Sequence, residues 1–358
     1  MPFKKNSPGC VCCASNIWAR GFGAFDISNQ YFTGRRTSDG FRYAVENGVD
    51  PNTILIIGAN IEDKYWLVYN KVTEEIEQFN PLTRLNLGTL WNASSDIALE
   101  YTSILAADPG ISSEFYYMPS WNVGYGIVTA SNQGIPFSVD SSGNFLSGPH
   151  SIGNSFHLDK ITCMSNGDLY VLSGISTADP DSYRYLRVSV YPASGGFSIF
   201  EFDEPLDRFV GSGTTSVQRY MDVNNIFCDG TQLYVYLYNG EQGNYDEGVY
   251  TLSTGGALAY DSSLIDISID FENPQSTTTP KQALTIDTTI YTPSEERWQM
   301  AVTYATSDGF WAWLDKDFIQ GKYMSHPMGI EAGTGVVRPH SHMLVVHPLD
   351  IEDYWDVL

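Results

Sequence analysis

Hydrophobic and polar positions alternate in short runs along most of the chain. Thr, Val, Ile, Tyr and Phe gather in segments of roughly four to eight residues, with Gly, Pro, Asn, Asp and Ser between them. Period-two runs of this length, bounded by turn formers, predict β-strands. The most helix-like piece, Thr73-Glu-Glu-Ile-Glu-Gln-Phe79, is short and reads equally well as the return strand of a hairpin. The pattern predicts an all-β chain.

The strands recur as a unit. Hairpin-like stretches begin at Tyr65, Gly134, Leu186, Gly248 and Phe310, with turns centred on Thr73, Ser141, Ser194, Thr254 and Lys316, one unit per roughly 60 residues. A second pair of strands precedes each of these. Ile161-Thr-Cys-Met-Ser-Asn-Gly-Asp-Leu-Tyr-Val171 matches Ile226-Phe-Cys-Asp-Gly-Thr-Gln-Leu-Tyr-Val235, and Ile54–Trp66 and Met300–Trp311 are looser relatives. Four antiparallel strands per repeat make one blade of a β-propeller, whose two sheet faces are buried only when neighbours stack around an axis. The expectation is a single propeller of five to seven four-stranded blades over residues 25–358, behind a short irregular anchor over residues 1–24. A further blade forms if the strands around Gly335-Val-Val-Arg338 and His342-Met-Leu-Val-Val346 pair with strands near Phe25–Tyr31 or Phe41–Val45, joining the chain ends. A pair of β-sandwiches is the competing architecture.

Composition then removes several partner classes. With 358 residues, Lys+Arg 19 and Asp+Glu 42, the formal net charge is −23. Nucleic acid and anionic membrane surfaces are excluded, because both need clustered Lys and Arg. At 17% charged and 14% aromatic residues, the chain is far from an acidic disordered one. No apolar run approaches the length of a transmembrane helix, and no secretory signal follows Lys4 and Lys5. Export by a route other than a cleaved signal, such as release in a virion, fits this start.

Three of the five cysteines stand together, at Cys10, Cys12 and Cys13, after the turn-forming Asn6-Ser-Pro-Gly9. A segment ahead of the first repeat has no packing reason to concentrate thiols. Three chemistries stay open: ligation of an iron–sulfur cluster or zinc, with the missing ligand supplied by a partner chain, a histidine or water; interchain disulfides to copies of this chain or to another component; or thiols that are free or lipid-modified. Cys163 and Cys228 occupy equivalent positions in two repeats and are expected as small buried packing residues.

The run Asn6-Ser-Pro-Gly-Cys-Val-Cys-Cys13 is similar to short N-terminal tags on β-rich proteins of marine tailed phages and on some planctomycete proteins. The resemblance covers about eight residues. In the phage setting it implies a virion component, a tail, fibre or adhesin subunit docked to its assembly through the N-terminus. Its implied partners are other virion proteins, further copies of the chain and a host-surface glycan. The long shaft of such fibres is missing from this sequence, which favours a compact head-like module.

Other chemistry is sparse. No G-x-S-x-G, H-E-x-x-H, Walker or G-x-G-x-x-G motif occurs. His340 and His342 share strand parity, but His347 does not, so they read as surface or loop histidines. Asp179-Pro-Asp181 and Asp315-Lys-Asp317 are candidates for loose calcium contacts. The aromatic run Phe115-Tyr-Tyr-Met-Pro-Ser-Trp121 offers Tyr116, Tyr117 and Trp121 as ligand-contact residues, against the plainer reading that a β core needs many aromatics. A propeller enzyme acting on polysaccharide, a hydrolase or lyase, is the alternative to a binding module. Its catalytic carboxylates would come from distant blades.

Overall fold

A strand buried on both faces loses the polar half of its alternation, and this is what the inner strands show: Ile54–Asn60 has six buried residues in succession. The computed structural model describes residues 21–26, 31–36, 42–45, 53–80, 85–109, 111–130, 133–152, 160–174, 186–201, 221–239, 248–256, 258–260, 284–304, 309–315, 320–326 and 342–345. Along them run β1 (Gly21–Asp26), β2 (Tyr31–Arg36) and β3 (Arg42–Val45), then β4 (Ile54–Asn60), β5 (Tyr65–Asn70), β6 (Glu75–Asn80) and β7 (Leu85–Trp91). Helix α1 (Asp96–Ala107) leads to β8 (Ser112–Met118), β9 (Val123–Ala130), β10 (Gln133–Asp140) and β11 (Phe145–Ser147). The next unit is β12 (Lys160–Cys163), β13 (Leu169–Gly174), β14 (Leu186–Tyr191) and β15 (Ser198–Glu201). It is followed by β16 (Met221–Cys228), β17 (Leu233–Asn239), β18 (Gly248–Leu252) and β19 (Leu258–Tyr260). Last come β20 (Leu284–Thr292), β21 (Arg297–Tyr304), β22 (Gly309–Asp315), β23 (Gln320–His326) and β24 (His342–Val345).

These strands form six antiparallel units of four. Blade 1 has the order β24-β1-β2-β3, and blades 4, 5 and 6 are β12–β15, β16–β19 and β20–β23. Blades 2 (β4–β7) and 3 (β8–β11) fuse into one eight-stranded sheet, because β4 and β8 pair in parallel through Gly58↔Phe115, Ala59↔Tyr116 and Asn60↔Tyr117. The first strands touch in sequence: β24 with β4, β4 with β8, β12 with β16, β16 with β20, and β20 with β24. Blade 3 meets blade 4 through β9–β12 and β10–β13. The ring is a six-bladed β-propeller, within the expected range. The expected joining of chain ends is present as Gly23↔Val345 through Asp26↔His342. Strand β1 of blade 1 begins at Gly21 and so takes in residues assigned from sequence to the leader.

Two features depart from the sequence reading. Met300–Trp311, aligned above with first-and-second strand pairs, is β21–β22, the second and third strands of its blade. The hairpin at Tyr65–Ile76 is likewise β5–β6, whereas the other four are third-and-fourth pairs. That one-strand slip made the first repeat interval the longest. The other departure is α1, a helix in a chain expected to be all-β. Ser95 caps it by accepting from the Ala98 N–H, and Ile97, Ala98, Tyr101 and Ile104 bury one face. Two blades sharing backbone bonds at their inner edge diverge outward, and α1 fills the wedge. Its buried residues join Leu55, Ile57, Leu67, Tyr69 and Trp91 of blade 2 and Phe115, Val128 and Phe137 of blade 3 in one core.

Glycine permits the fusion. A Cβ on Gly58 would lie 1.9 Å from the Phe115 carbonyl oxygen, and one on Gly124 would lie 2.8 Å from the Phe115 ring. Only a chain without those atoms lets β4 approach β8 and the ring lie flat on β9.

Candidate functional site

The turns joining first to second strands in blades 2, 3, 5 and 6 meet at one end of the ring. The half-buried Glu62 carboxylate accepts from the Ser120 N–H at 2.6 Å and the Ser294 N–H at 3.1 Å. Lys64 pairs with Glu295. Trp121 stacks on Tyr291 with centroids 6.5 Å apart, and its indole occupies the space a Cβ on Gly230 would need. Blades 3 and 6 stand opposite in a ring of six, so their turns touch only by reaching the axis. The turns are alike: Tyr117-Met-Pro-Ser120 and Tyr291-Thr-Pro-Ser294 each start a short 3-10 turn that ends on a left-handed residue, Asn122 or Glu296.

A second polar region lies where blade 3 faces blade 4. Cross-strand register lines up Tyr116, Tyr125, Ser138 and Ser147 as one row from the inner to the outer strand of blade 3. All four carry hydroxyls. Tyr116 donates to Glu114, Ser138 to the Gly167 carbonyl at 2.6 Å, and Ser147 to the Tyr191 carbonyl at 3.0 Å. Burial raises the Glu114 carboxyl above its ordinary pKa, against the opposing pull of nearby Lys160 and the Tyr116 hydroxyl. Burial likewise pushes the Tyr125 phenol well up, reinforced by Cys163, Glu114 and Cys228, while a hydrogen bond with Thr162 opposes. A carboxyl whose pKa is raised by burial, beside a lysine and a phenol, is equipped to donate or accept a proton.

The outer end of the same seam carries an aromatic ladder. His150 stacks on Tyr191 at 4.0 Å between centroids, and Tyr191 meets Phe197 at 5.1 Å. Ser147 Oγ lies 3.0 Å from His150 Nε2 and holds the imidazole edge-on. Burial lowers the His150 pKa, so the ring is neutral over most of the physiological range. Beyond this ladder Phe197 is 56% exposed and Ile199 43% exposed.

Of the residues singled out from sequence, Tyr116 and Tyr117 are interior, 2% and 6% exposed, and offer no free ring face to a ligand. Strand alternation sends Tyr117 into the core shared with blade 2 and Tyr116 into the seam with blade 4. Trp121 closes the axial turn cluster. Cys163 and Cys228 are buried free thiols, as expected for packing residues. Burial pushes the Cys228 thiol up to about 12 and the Cys163 thiol well above its ordinary value, which leaves both protonated and inert. Cys10, Cys12, Cys13, His340, Asp179 and Asp181 lie outside the described residues. Among the described residues no group of three His, Cys, Asp or Glu side chains is placed to hold a metal ion.

Glu62, Glu114, His150 and Phe197 were missed. Each is unremarkable alone: Glu62 finds Ser120 and Ser294 in other blades and His150 stacks on Tyr191 of blade 4, while Glu114 and Phe197 pair within their own blades with Tyr116 and Tyr191. The paired Tyr-x-Pro-Ser turns were the one available signal, since an identical turn in two repeats marks equivalent positions on the ring.

No family model matches the chain, and no curated protein matches it. Among solved structures, the chain is similar to regucalcin from Agrobacterium tumefaciens, described as a calcium-binding protein, with 14% identity over 68% of this chain and 73% of that one at a TM-score of 0.35. It is also similar to TolB from Acinetobacter baumannii, with 10% identity over 87% and 64% at 0.36. YCF48 bound to a D1 peptide shares 10% identity over 84% and 79% at 0.35.

Proposed function

We propose that the protein is a binding and docking module of a larger assembly, a virion tail or fibre component that meets a host-surface glycan. The observation that carries this reading is the exposed pair Phe197 and Ile199 backed by the Tyr191–His150 stack. A rigid aromatic with one free face suits the axial C–H face of a pyranose ring, and its pre-ordered stack keeps the entropy of contact small. The leader, through Cys10, Cys12 and Cys13, is the attachment to the assembly, by an iron–sulfur or zinc site or by interchain disulfides. Its resemblance to phage tags supports the virion setting. The −23 charge tolerates seawater ionic strength, where screening is short-ranged, and accommodates bridging calcium.

The test is cosedimentation of the purified chain with host cells and with their isolated surface polysaccharide. Phe197→Ser and Ile199→Ser should each weaken association about tenfold while leaving the circular dichroism unchanged. Association indifferent to both substitutions would overturn the rim as the contact.

A polysaccharide hydrolase or lyase is the second reading, supported by Glu114 between Tyr116 and Lys160. It requires reducing-end release that Glu114→Gln abolishes. Intact polysaccharide after prolonged incubation would dispose of it.

A further inference from the structure

The ring is closed twice, by unrelated means. One closure is the backbone pairing of β1 with β24 inside blade 1, over four residue pairs. The other bypasses that blade. Blades 2 and 6 flank blade 1 on either side, and their turns are joined directly by Glu62 to the Ser294 N–H and by Lys64 to Glu295. The second oxygen of the same carboxylate holds the Ser120 N–H of blade 3, and Trp121 on Tyr291 adds a stacked contact from blade 3 to blade 6.

We infer that the β1–β24 pairing inside blade 1 opens while the Glu62–Lys64 latch keeps blades 2 to 6 closed. Local openings follow the weakest cooperative boundary. Here we place that boundary at the β1–β24 zipper, whose two strands are farther apart in sequence than those of any other described pairing and so carry the largest loop-closure cost.

Native-state hydrogen exchange of the full chain, resolved by mass spectrometry across increasing denaturant, tests the inference. Peptides covering β1 and β24 should exchange at least tenfold faster than those covering β4 and β20. Glu62→Ala should shrink that ratio to threefold or less by releasing β4 and β20. Lys64→Met, a milder change should Glu62→Ala fold poorly, should move the ratio in the same direction. Exchange of all four strands together in the unaltered protein would overturn the inference, and so would a ratio that neither variant changes.

Discussion

The two seams flanking blade 3 are built on different physics. Toward blade 2, backbone pairing of β4 with β8 joins the blades, and the space behind is filled by Trp91, Phe115, Phe137, Tyr101 and their aliphatic neighbours. Toward blade 4 the described strands share no ladder. The faces are matched by hydroxyls reaching carbonyls, Ser138 to Gly167 and Ser147 to Tyr191, with Glu114 held between Tyr116 and Lys160. Farther round, the Ser165 hydroxyl donates to the Gly230 carbonyl and the Asn225 amide to the Thr289 hydroxyl. Apolar contact is non-directional and tolerates a range of blade angles, whereas a buried hydroxyl must find its acceptor at hydrogen-bond distance. Where the backbone already sets the angle, packing can be apolar. Where it does not, directional side chains define it.

The largest effects should come from breaking the apolar seam. Phe115→Ala empties a fully buried ring site between Trp91 and Phe137, and should cost about 4 kcal/mol in urea unfolding. Gly58→Ala drives a Cβ into the Phe115 carbonyl and should cost about 3 kcal/mol, with a change in the near-ultraviolet circular dichroism of the aromatic cluster. Ser138→Ala attacks the other seam. It leaves the Gly167 carbonyl without its donor and should cost about 2 kcal/mol, less than either apolar change, because a single directional contact is lost. A Ser138→Ala cost above that of Phe115→Ala would reverse the ranking of the two seams.

The smallest effect is the most diagnostic, because it depends on pH. The folded protein holds the Glu114 proton above the ordinary carboxylate value of 4.5, whereas the unfolded chain releases it there. The contribution of this group is present at low pH and is lost as pH rises through the raised folded value. Comparing urea midpoints, Glu114→Gln should gain on the unaltered protein by up to about 1 kcal/mol as pH climbs from about 4 to about 8. Lys160→Met should steepen the unaltered protein's loss, since it removes the charge that opposes the shift. A flat difference across that range would place Glu114 in solvent rather than in the seam.

Much of the ring could be read from residues because its strands advertise themselves locally. Asn166-Gly167, Asp229-Gly230 and Asp140-Ser-Ser-Gly143 mark turns whose carboxylate or amide oxygens accept the following backbone N–H groups, and the flanking alternation sets the hairpins. Helix α1 was legible in principle, in the Ser95 cap and the spacing of Ile97, Tyr101 and Ile104. Its Thr102 and Ile104, both β-branched, blur that signal against the surrounding strands. The aromatic run at Phe115–Trp121 misled for a different reason. Exposure is set by what covers a strand, and here both faces of β8 are covered.

Strand positions, hairpin turns and the repeat follow from forces acting over a few residues, so the order of amino acids along the chain carries them, and the repeat in turn implies that the chain ends meet in one blade. Whether neighbouring blades fuse or merely face each other, which hydroxyl finds which carbonyl, and which glutamate bridges blades across the axis all depend on contacts between residues far apart in the chain. Gly58, Glu62 and Phe197 look like any glycine, glutamate or phenylalanine until the fold places Phe115, Ser294 and Tyr191 beside them.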